Sequence, residues 1–266
     1  DANSTVTSLT VAHTTPVSIA SGKTLSGAIT VTDGSIKLGE RGTLGSTVSM
    51  SGGELDADNS STVSGTLTQG GSITIDVATG KTLTYSGAAL SLGANTLTLS
   101  GEGTFSNSNA LVLNNASSKL LLDSITVDNV STSADNSGLD VDDDSTVTSL
   151  TVGDATPVSI ASGKTLSGAI TVTAGSVKLD EAGTLGSSVS MSGGELDADE
   201  SLTVSGALSQ SGDITIDVAT GKTLTYSGAA LSLGANTLTL GGGGTLSNTN
   251  ALDLNNASSK LLLDSI

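Results

Sequence analysis

The chain has 266 residues, with 26 acidic and 9 basic side chains and a formal net charge of −17 at pH 7. A charge of this sign repels phosphate groups, which argues against nucleic acids and anionic membrane surfaces as partners. The chain has no cysteine, which excludes disulfides and thiolate chemistry, and its three aromatic residues are too few for an ordinary mixed core or an aromatic binding platform.

A segment near the start of the chain returns later with the same sequence. Residues 5–11 and residues 146–152 both read TVTSLTV, and the offset of 141 holds without a gap to the end of the chain. We therefore predict two tandem units, which together form one continuous rod. Residues 1–141 form a first unit of seven rungs, and residues 142–266 form a second, truncated unit.

A shorter period lies inside each unit. A triplet of Thr, an aliphatic residue and Ser or Thr recurs every 19 to 22 residues. We expect the central residues of these triplets to stack in one column. In the first unit and at the start of the second they are Val6, Leu25, Leu44, Val63, Leu83, Phe105, Ile125 and Val147.

Each period contains segments in which apolar and polar residues alternate, separated by Gly, Asn, Asp and Ser. Alternation with a period of two is typical of strands with one buried face. A near-constant repeat length with like residues in equivalent positions favours a parallel β-solenoid over an antiparallel meander. We predict about 13 rungs of 19–22 residues, with three short strands per rung. At a strand spacing of ~4.8 Å this gives a rod of roughly 60 Å. The variable rung length favours a right-handed β-helix.

A Gly-Lys-Thr motif occurs four times and is similar to the end of a phosphate-binding loop. Such a loop needs a glycine five residues before the Gly-Lys pair and a helix after it. Val17 and Ile75 occupy two of those glycine positions, and no helical pattern follows. We therefore interpret each motif as a corner glycine followed by a lysine at a strand edge. The motifs begin at Gly22, Gly80, Gly163 and Gly221.

The densest run of charge contains Asp140, Asp142, Asp143 and Asp144. Hard cations such as Ca²⁺ bind several closely spaced carboxylate oxygens. The spacing does not fit an EF-hand loop, and the first unit has no equivalent run. We favour a solvated turn over a Ca²⁺ site, and we predict no metal, cofactor-binding or catalytic residues. The recurring pairs Asp56/Asp58 and Asp197/Asp199 are interpreted as solvated strand edges.

Catalysis needs a base, a nucleophile or an electrophile gathered in a pocket. The single histidine, His13, corresponds to Asp154 in the second unit, and the single arginine, Arg41, corresponds to Ala182. We therefore predict that the chain is not an enzyme. The equivalent residues Tyr85 and Tyr226 are expected to cap the solenoid interior or to lie across a neighbouring strand.

The T-L-x-G and G-K-T-L periodicity, the Ser/Thr/Gly/Asn bias, the absence of cysteine and the tandem units resemble bacterial surface adhesins. The nearest types are autotransporter passengers and filamentous-haemagglutinin-like repeat proteins. The resemblance covers the whole chain but includes no diagnostic motif, so it transfers no binding residues. It implies a secreted, structural protein at the bacterial cell surface, where the chain would serve as a stiff stalk or fibre segment.

Two alternatives remain open. The chain could be a subunit that stacks head-to-tail into a filament or surface layer, or a solenoid that binds ice or carbohydrate. The expected partners are further copies of its own repeat, in cis or head-to-tail in a fibre, together with a host or neighbouring cell surface. No run of apolar residues reaches the ~18 that a membrane span requires, so no membrane insertion is expected.

Overall fold

The protein is described by a computed structural model of residues 2–266, without the side chains of Thr14 and Thr15. Over this range the chain forms strands and turns and contains no helix, and the predicted all-β parallel β-solenoid of about 13 turns is confirmed. Internal packing divides the chain into two units, Asp1–Val130 and Ser131–Ile266. Asp1, with which the first predicted repeat begins, lies outside the described residues. The right-handed winding and the single rod stay predictions.

Unit 1 contains fifteen strands, the last of which extends two residues into unit 2. They are β1 (Ser4–Ile19), β2 (Thr24–Leu38), β3 (Thr43–Leu44), β4 (Val48–Met50), β5 (Glu54–Ala57), β6 (Ser61–Val63), β7 (Leu67–Gln69), β8 (Ile73–Val77), β9 (Thr82–Tyr85), β10 (Leu90–Ser91), β11 (Thr96–Ser100), β12 (Thr104–Asn107), β13 (Leu111–Leu113), β14 (Lys119–Asp123) and β15 (Thr126–Thr132).

Unit 2 repeats the same pattern. Its strands are β16 (Gly138–Val141), β17 (Ser145–Val152), β18 (Thr156–Ile160), β19 (Thr165–Val172), β20 (Ser176–Leu179), β21 (Thr184–Leu185), β22 (Ser188–Met191), β23 (Glu195–Ala198), β24 (Leu202–Val204), β25 (Leu208–Gln210), β26 (Ile214–Val218), β27 (Thr223–Tyr226), β28 (Leu231–Ser232), β29 (Thr237–Gly241), β30 (Thr245–Asn248), β31 (Leu252–Asp253) and β32 (Lys260–Leu263).

Eight coils contain three strands, as predicted, and in the other five coils neighbouring strands run together into two strands or one. In unit 1, β3, β4 and β5 of one coil pair in parallel with β6, β7 and β8 of the next. The long strand β2 runs through its corners and pairs in turn with β3, β4 and β5. Coil length varies more than predicted, because Ile75 pairs with Leu99, 24 residues later.

The predicted column of triplet centres is correct from Leu25 to Val63 and from Leu83 to Phe105, and it is wrong at the pairings before and after each of these stretches. Leu25 pairs with Leu44 and Leu44 pairs with Val63, but Val63 then pairs with Tyr85 instead of Leu83. Before Leu25 the partner is Ser4 instead of Val6. Each error is a slip of two residues, which leaves every side chain on the same face of the strand. Alternation alone cannot distinguish such registers.

The interior of unit 1 is filled mainly by aliphatic side chains. Leu44, Leu83 and Leu97 are fully buried, and each such side chain contributes roughly 1.5–3 kcal/mol before ordering costs. Tyr85 and Phe105 also lie inside, with stacked rings whose centroids are 6.1 Å apart. The interior therefore accommodates aromatic rings as well as aliphatic side chains.

Unit 2 repeats the same interior column. Leu166 pairs with Leu185, Leu185 with Val204, and Val204 with Tyr226, and all four side chains are buried. The slip of two residues before the tyrosine therefore occurs in both units.

Candidate functional site

The Gly-Lys-Thr motifs form corners between coils. Gly22, Gly80, Gly163 and Gly221 have φ between 65° and 77°, a left-handed conformation that favours glycine. In each corner the lysine amide donates to the carbonyl three residues before it, as Lys23 does to Ala20 at 3.1 Å. A strand begins at each threonine. This confirms the interpretation as corners, and no helix N-terminus is present in these corners to hold a phosphate.

The acidic run at residues 140–144 is divided among separate contacts. Asp143 accepts a hydrogen bond from Lys164 Nζ at 2.7 Å, and Asp144 accepts one from the Thr165 amide at 2.7 Å. Asp140 lies in β16, paired with Ser159 of the next coil. Within residues 2–266 no group of three carboxylate or imidazole side chains is placed to hold a metal ion. Through Asp143 and Asp144, the run therefore binds one coil to the next.

A cluster of charged side chains lies on the third strand of successive coils in unit 1. Lys37 Nζ contacts Asp56 Oδ2 at 2.5 Å and Asp58 Oδ2 at 3.6 Å. Asp56 in turn pairs in register with Asp76 of the following coil. The prediction that Asp56 lies at a solvated edge is wrong, because its residue surface is only 9% exposed and its carboxylate is ion-paired. Asp58 is exposed, as predicted.

Unit 2 has the same cluster with a looser ion pair. Lys178 Nζ lies 3.4 Å from Asp197 Oδ2, and Asp197 pairs in register with Asp217. Asp197 is only partly exposed, so its prediction as a solvated edge is also wrong. Burial, followed by the charge of Asp199, raises the pKa of Asp197. Its hydrogen bond to Lys178 acts in the opposite direction and raises the pKa of that lysine.

A glutamate flanks the charged cluster in each unit. Burial raises the pKa of Glu54, and the nearby charges of Asp56 and Asp76 raise it further. Burial likewise raises the pKa of Glu195, with added contributions from Asp197 and Asp217. Burial is the largest cause at both glutamates, repulsion from the neighbouring aspartates adds to it, and the lysine of each unit acts in the opposite direction.

The two tyrosines join neighbouring coils from inside. The Tyr85 hydroxyl donates to the Ala88 carbonyl at 2.6 Å and accepts from the Leu67 amide at 3.2 Å. Tyr226 makes the equivalent bonds to Ala229 and Leu208. Tyr85 is 1% exposed, and its burial raises the pKa of its hydroxyl. The expected position across a neighbouring strand is confirmed, and neither ring offers an open surface to a ligand.

A buried asparagine network was not predicted from the sequence. Asn107, which is 1% exposed, donates through Nδ2 to the carbonyls of Asn109 and Asn129 and accepts at Oδ1 from the amides of Asp128 and Asn129. This one side chain satisfies four backbone groups across two coils. The sequence does contain a signal for this network. Asn107 occupies an inward position of the strand pattern, and a second asparagine, Asn129, follows 22 residues later.

Threonine side chains form in-register rows on the outer surface of each unit. Neighbouring members of a row are paired residues on successive coils, so they repeat at the strand spacing of ~4.8 Å. The row of unit 1 contains Thr24, Thr43, Thr62 and Thr84, and the row of unit 2 contains Thr165, Thr184, Thr203 and Thr225.

His13 and Arg41 lie in different local settings. His13 is an exposed residue of β1, paired with Gly34. Arg41 occupies an exposed turn after β2 with φ of 56°, and its amide donates to the Ser60 carbonyl at 2.7 Å. The structure assigns neither residue to a pocket with the charged cluster. In residues 2–266 there is also no helix long and apolar enough to cross a membrane.

Comparison with known proteins identifies no relative of this chain. No known protein family, no curated protein and no solved structure matches the chain.

Proposed function

We propose that the chain is a non-catalytic structural segment, a stiff stalk or fibre of a bacterial surface adhesin, exposed outside the cell. The observation that carries this proposal is the in-register stacking of coils within each unit. The coils before the last contribute buried aliphatic side chains, and parallel backbone hydrogen bonds join each of them to its neighbours. Such an array resists extension because coils must be peeled off one after another.

Side-chain contacts between coils support the same role. The Lys37–Asp56 and Lys164–Asp143 ion pairs join successive coils, as do the hydrogen bonds of Tyr85 and Asn107. The polar side chains of these contacts therefore hold neighbouring coils together. A protein that bears load along the stacking direction of its coils benefits from contacts that join one coil to the next.

Pulling the chain from its two termini in a single-molecule force experiment tests this proposal. We expect stepwise release of coils, each adding about 65–70 Å of extended chain for about 20 residues. A matched control replaces the equivalent buried residues Leu83 and Leu224 with aspartate, which should remove the force-resisting steps in both units. Extension without resistance in the unchanged chain would contradict a load-bearing role.

The location outside the cell is tested separately. Antibodies raised against the chain should label intact cells of the source bacterium as strongly as permeabilised cells. Labelling that requires permeabilisation would overturn the surface location and leave the mechanical role to the force experiment.

The threonine rows favour one second candidate, binding to ice. Each row presents four hydroxyl and methyl pairs at regular spacing on neighbouring strands, and such a surface can order water. Measurement of thermal hysteresis decides this candidate. Activity that is lost on changing Thr184 and Thr203 to lysine would support it, and absence of hysteresis in the unchanged chain would refute it.

A further inference from the structure

The chain contains five copies of a short motif in which an asparagine is followed two residues later by Ser or Thr, with no proline between them. In such a motif the side-chain nitrogen of the asparagine can receive a sugar. The copies begin at Asn3, Asn59, Asn115, Asn129 and Asn256. The motif requires both the asparagine amide and the hydroxyl group. A copy can therefore serve as an acceptor in the folded chain only where both groups are exposed and make no other bond.

Asn115 lies in an exposed turn between β13 and β14. Its Oδ1 accepts a hydrogen bond from the Ser117 amide at 2.9 Å, and its carbonyl accepts one from the Ser118 amide at 2.8 Å. A backbone amide can only donate, so the side-chain atom that faces Ser117 is the oxygen, and Nδ2 is directed away from this bond. In the described residues 2–266, neither Asn115 Nδ2 nor Ser117 Oγ makes a hydrogen bond, and both residues are exposed. This copy therefore presents both groups of the motif.

The turn is attached to the preceding coil by atoms other than Asn115 Nδ2. The Ser118 hydroxyl accepts from the Asn115 amide at 3.0 Å and donates to the Gly93 carbonyl. Asn114 Oδ1 accepts from the Gly93 amide at 3.0 Å. A sugar on Asn115 would therefore replace no hydrogen bond between coils. The turn belongs to an inner coil, because β12 of this coil pairs with β15 of the next.

Unit 2 forms the same turn from the same sequence. Residues 114–119 and 255–260 both read NNASSK. Asn256 Oδ1 accepts from the Ser258 amide at 2.9 Å, and the Asn256 amide donates to the Ser259 hydroxyl at 3.0 Å. The presentation of the asparagine is therefore a property of this local sequence, in which Asn and Ser side chains bond to nearby backbone groups.

The other three copies of the motif are engaged or extended. Asn129 lies in β15, and its Nδ2 donates to the Asn107 carbonyl. In the copy that begins at Asn59, the hydroxyl belongs to Ser61, which is buried and donates to the Asn59 carbonyl at 2.8 Å. The copy that begins at Asn3 runs directly into β1 and forms no such turn. The structure therefore distinguishes between copies that the sequence pattern treats alike.

We propose that Asn115 and Asn256 are sites of N-linked glycosylation. The co-substrate is a sugar that carries a phosphate group on its anomeric carbon, and a separate transferase catalyses the reaction. Asn Nδ2 forms a bond to the anomeric carbon, the bond from that carbon to the phosphate oxygen breaks, and the phosphate leaves with the electron pair. The proton lost from Nδ2 passes to a base of the transferase. This inference goes beyond the proposed mechanical role and does not depend on it.

Mass spectrometry of tryptic peptides from the protein as its source bacterium makes it tests the proposal. Trypsin cuts after Lys and Arg, so each copy of the motif lies in a different peptide. We expect a sugar on the peptides that contain Asn115 and Asn256, attached at these residues, and none on the peptides that contain Asn3, Asn59 and Asn129. Either size of adduct supports the sites: a single sugar indicates a sugar nucleotide as donor, and a preassembled oligosaccharide indicates a lipid-linked donor.

Matched variants produced in the same bacterium separate the acceptor from the turn. Asn115→Asp keeps an oxygen that accepts from the Ser117 amide but lacks the acceptor nitrogen, so it should lose the sugar on its own peptide and retain the sugar on Asn256. Ser117→Ala should also lose it, whereas Ser117→Thr should keep it, because the motif accepts either hydroxyl. Asn59→Asp is the control and should change neither sugar. Absence of sugar from both expected peptides, or equal occupancy of Asn59 and Asn129, would overturn the proposal without affecting the force experiment.

Discussion

The first coil junction of unit 1 and its counterpart in unit 2 have similar sequences but different strand registers. In unit 1, Val17 of β1 pairs with Ile36. In unit 2 the corresponding residue, Val158 of β18, pairs with Leu179, which corresponds to Leu38. The same apolar pattern has therefore adopted two registers that differ by two residues.

Gly39 is one of the residues that differ between the units at this junction, and it permits the register of unit 1. The register of unit 1 brings Gly39 against Ile19, where its amide donates to the Ile19 carbonyl at 2.9 Å. A Cβ atom at Gly39 would lie 2.6 Å from that carbonyl oxygen, closer than real contacts allow. Unit 2 has Asp180 at the position of Gly39, and the Cβ atom of Asp180 would clash with the backbone in the same arrangement. In the shifted register Ser159 donates to the Asp180 carboxylate at 2.6 Å.

The comparison shows that apolar residues and corner residues have separate roles. The alternating apolar residues determine which side chains point inward, and a shift of two residues leaves that unchanged. We expect the choice between the permitted registers to depend on corner residues such as Gly39, which allow or block a close backbone approach. The predictions below test this separation.

The largest expected difference between the units concerns a buried isoleucine. Ile160 pairs with Val141 of the preceding coil, whereas the counterpart Ile19 lies in β1, whose partner is β2. Ile160→Ala should lower the free energy of unfolding by about 2–5 kcal/mol, and Ile19→Ala by less, because fewer atoms surround its cavity. Urea titrations of both variants measure this, and equal losses would contradict the packing argument.

Gly39→Asp should disturb the register of unit 1. The added side chain clashes with the Ile19 carbonyl, so β1 must shift or loosen, at a cost of about 1–3 kcal/mol. Amide hydrogen exchange in β1 and β2 measures the change. The reciprocal control, Asp180→Gly, removes one exposed hydrogen bond and should have a smaller effect. Unchanged protection of β1 in Gly39→Asp would show that this corner does not select the register.

Acidification should stabilise the chain through the charged clusters. The folded-state pKa values of Glu54, Glu195 and Asp197 are raised, so these groups bind protons more tightly in the folded than in the unfolded chain. Their contribution to stability therefore increases as the pH falls through the raised values and is complete below the ordinary values, near 4. Thermal melts between pH 7 and pH 4 measure it.

The matched variants isolate this contribution. Glu54→Gln with Glu195→Gln should reduce the pH dependence in this window, and adding Asp197→Asn should reduce it further. If the melting temperature changes with pH by the same amount in the unchanged and the substituted chains, the pH dependence arises from other carboxylates.

The smallest difference concerns an ion pair that is present in unit 2. Lys222 Nζ contacts Glu200 Oε2 at 2.5 Å, whereas unit 1 has the neutral Asn59 at the position that corresponds to Glu200. Lys222→Met should cost about 0.2–1 kcal/mol, since both side chains are partly exposed. Lys81→Met should cost less. Denaturant titration at low and high salt measures both, and a salt-independent loss would exclude an electrostatic cause.

The fold was predictable because its signals are local and repeated. Alternation identified the strands, and the near-constant period identified stacked coils, so the column from Leu25 to Val63 was predicted correctly. The slip at Tyr85 was not predictable, because Leu83 and Tyr85 both face inward. The burial of Asp56 also escaped prediction, since carboxylates at alternate positions look the same at a solvated edge and beside a lysine of the preceding coil.

By itself the sequence determined that this chain is a β-solenoid with an aliphatic interior and glycine corners, because those features follow from the period and from the residue types within it. The tertiary structure alone decided the register of each strand and the partners of Asp143 and Asn107. These depend on contacts between residues about 20 positions apart, where the pattern permits registers that differ by two residues equally.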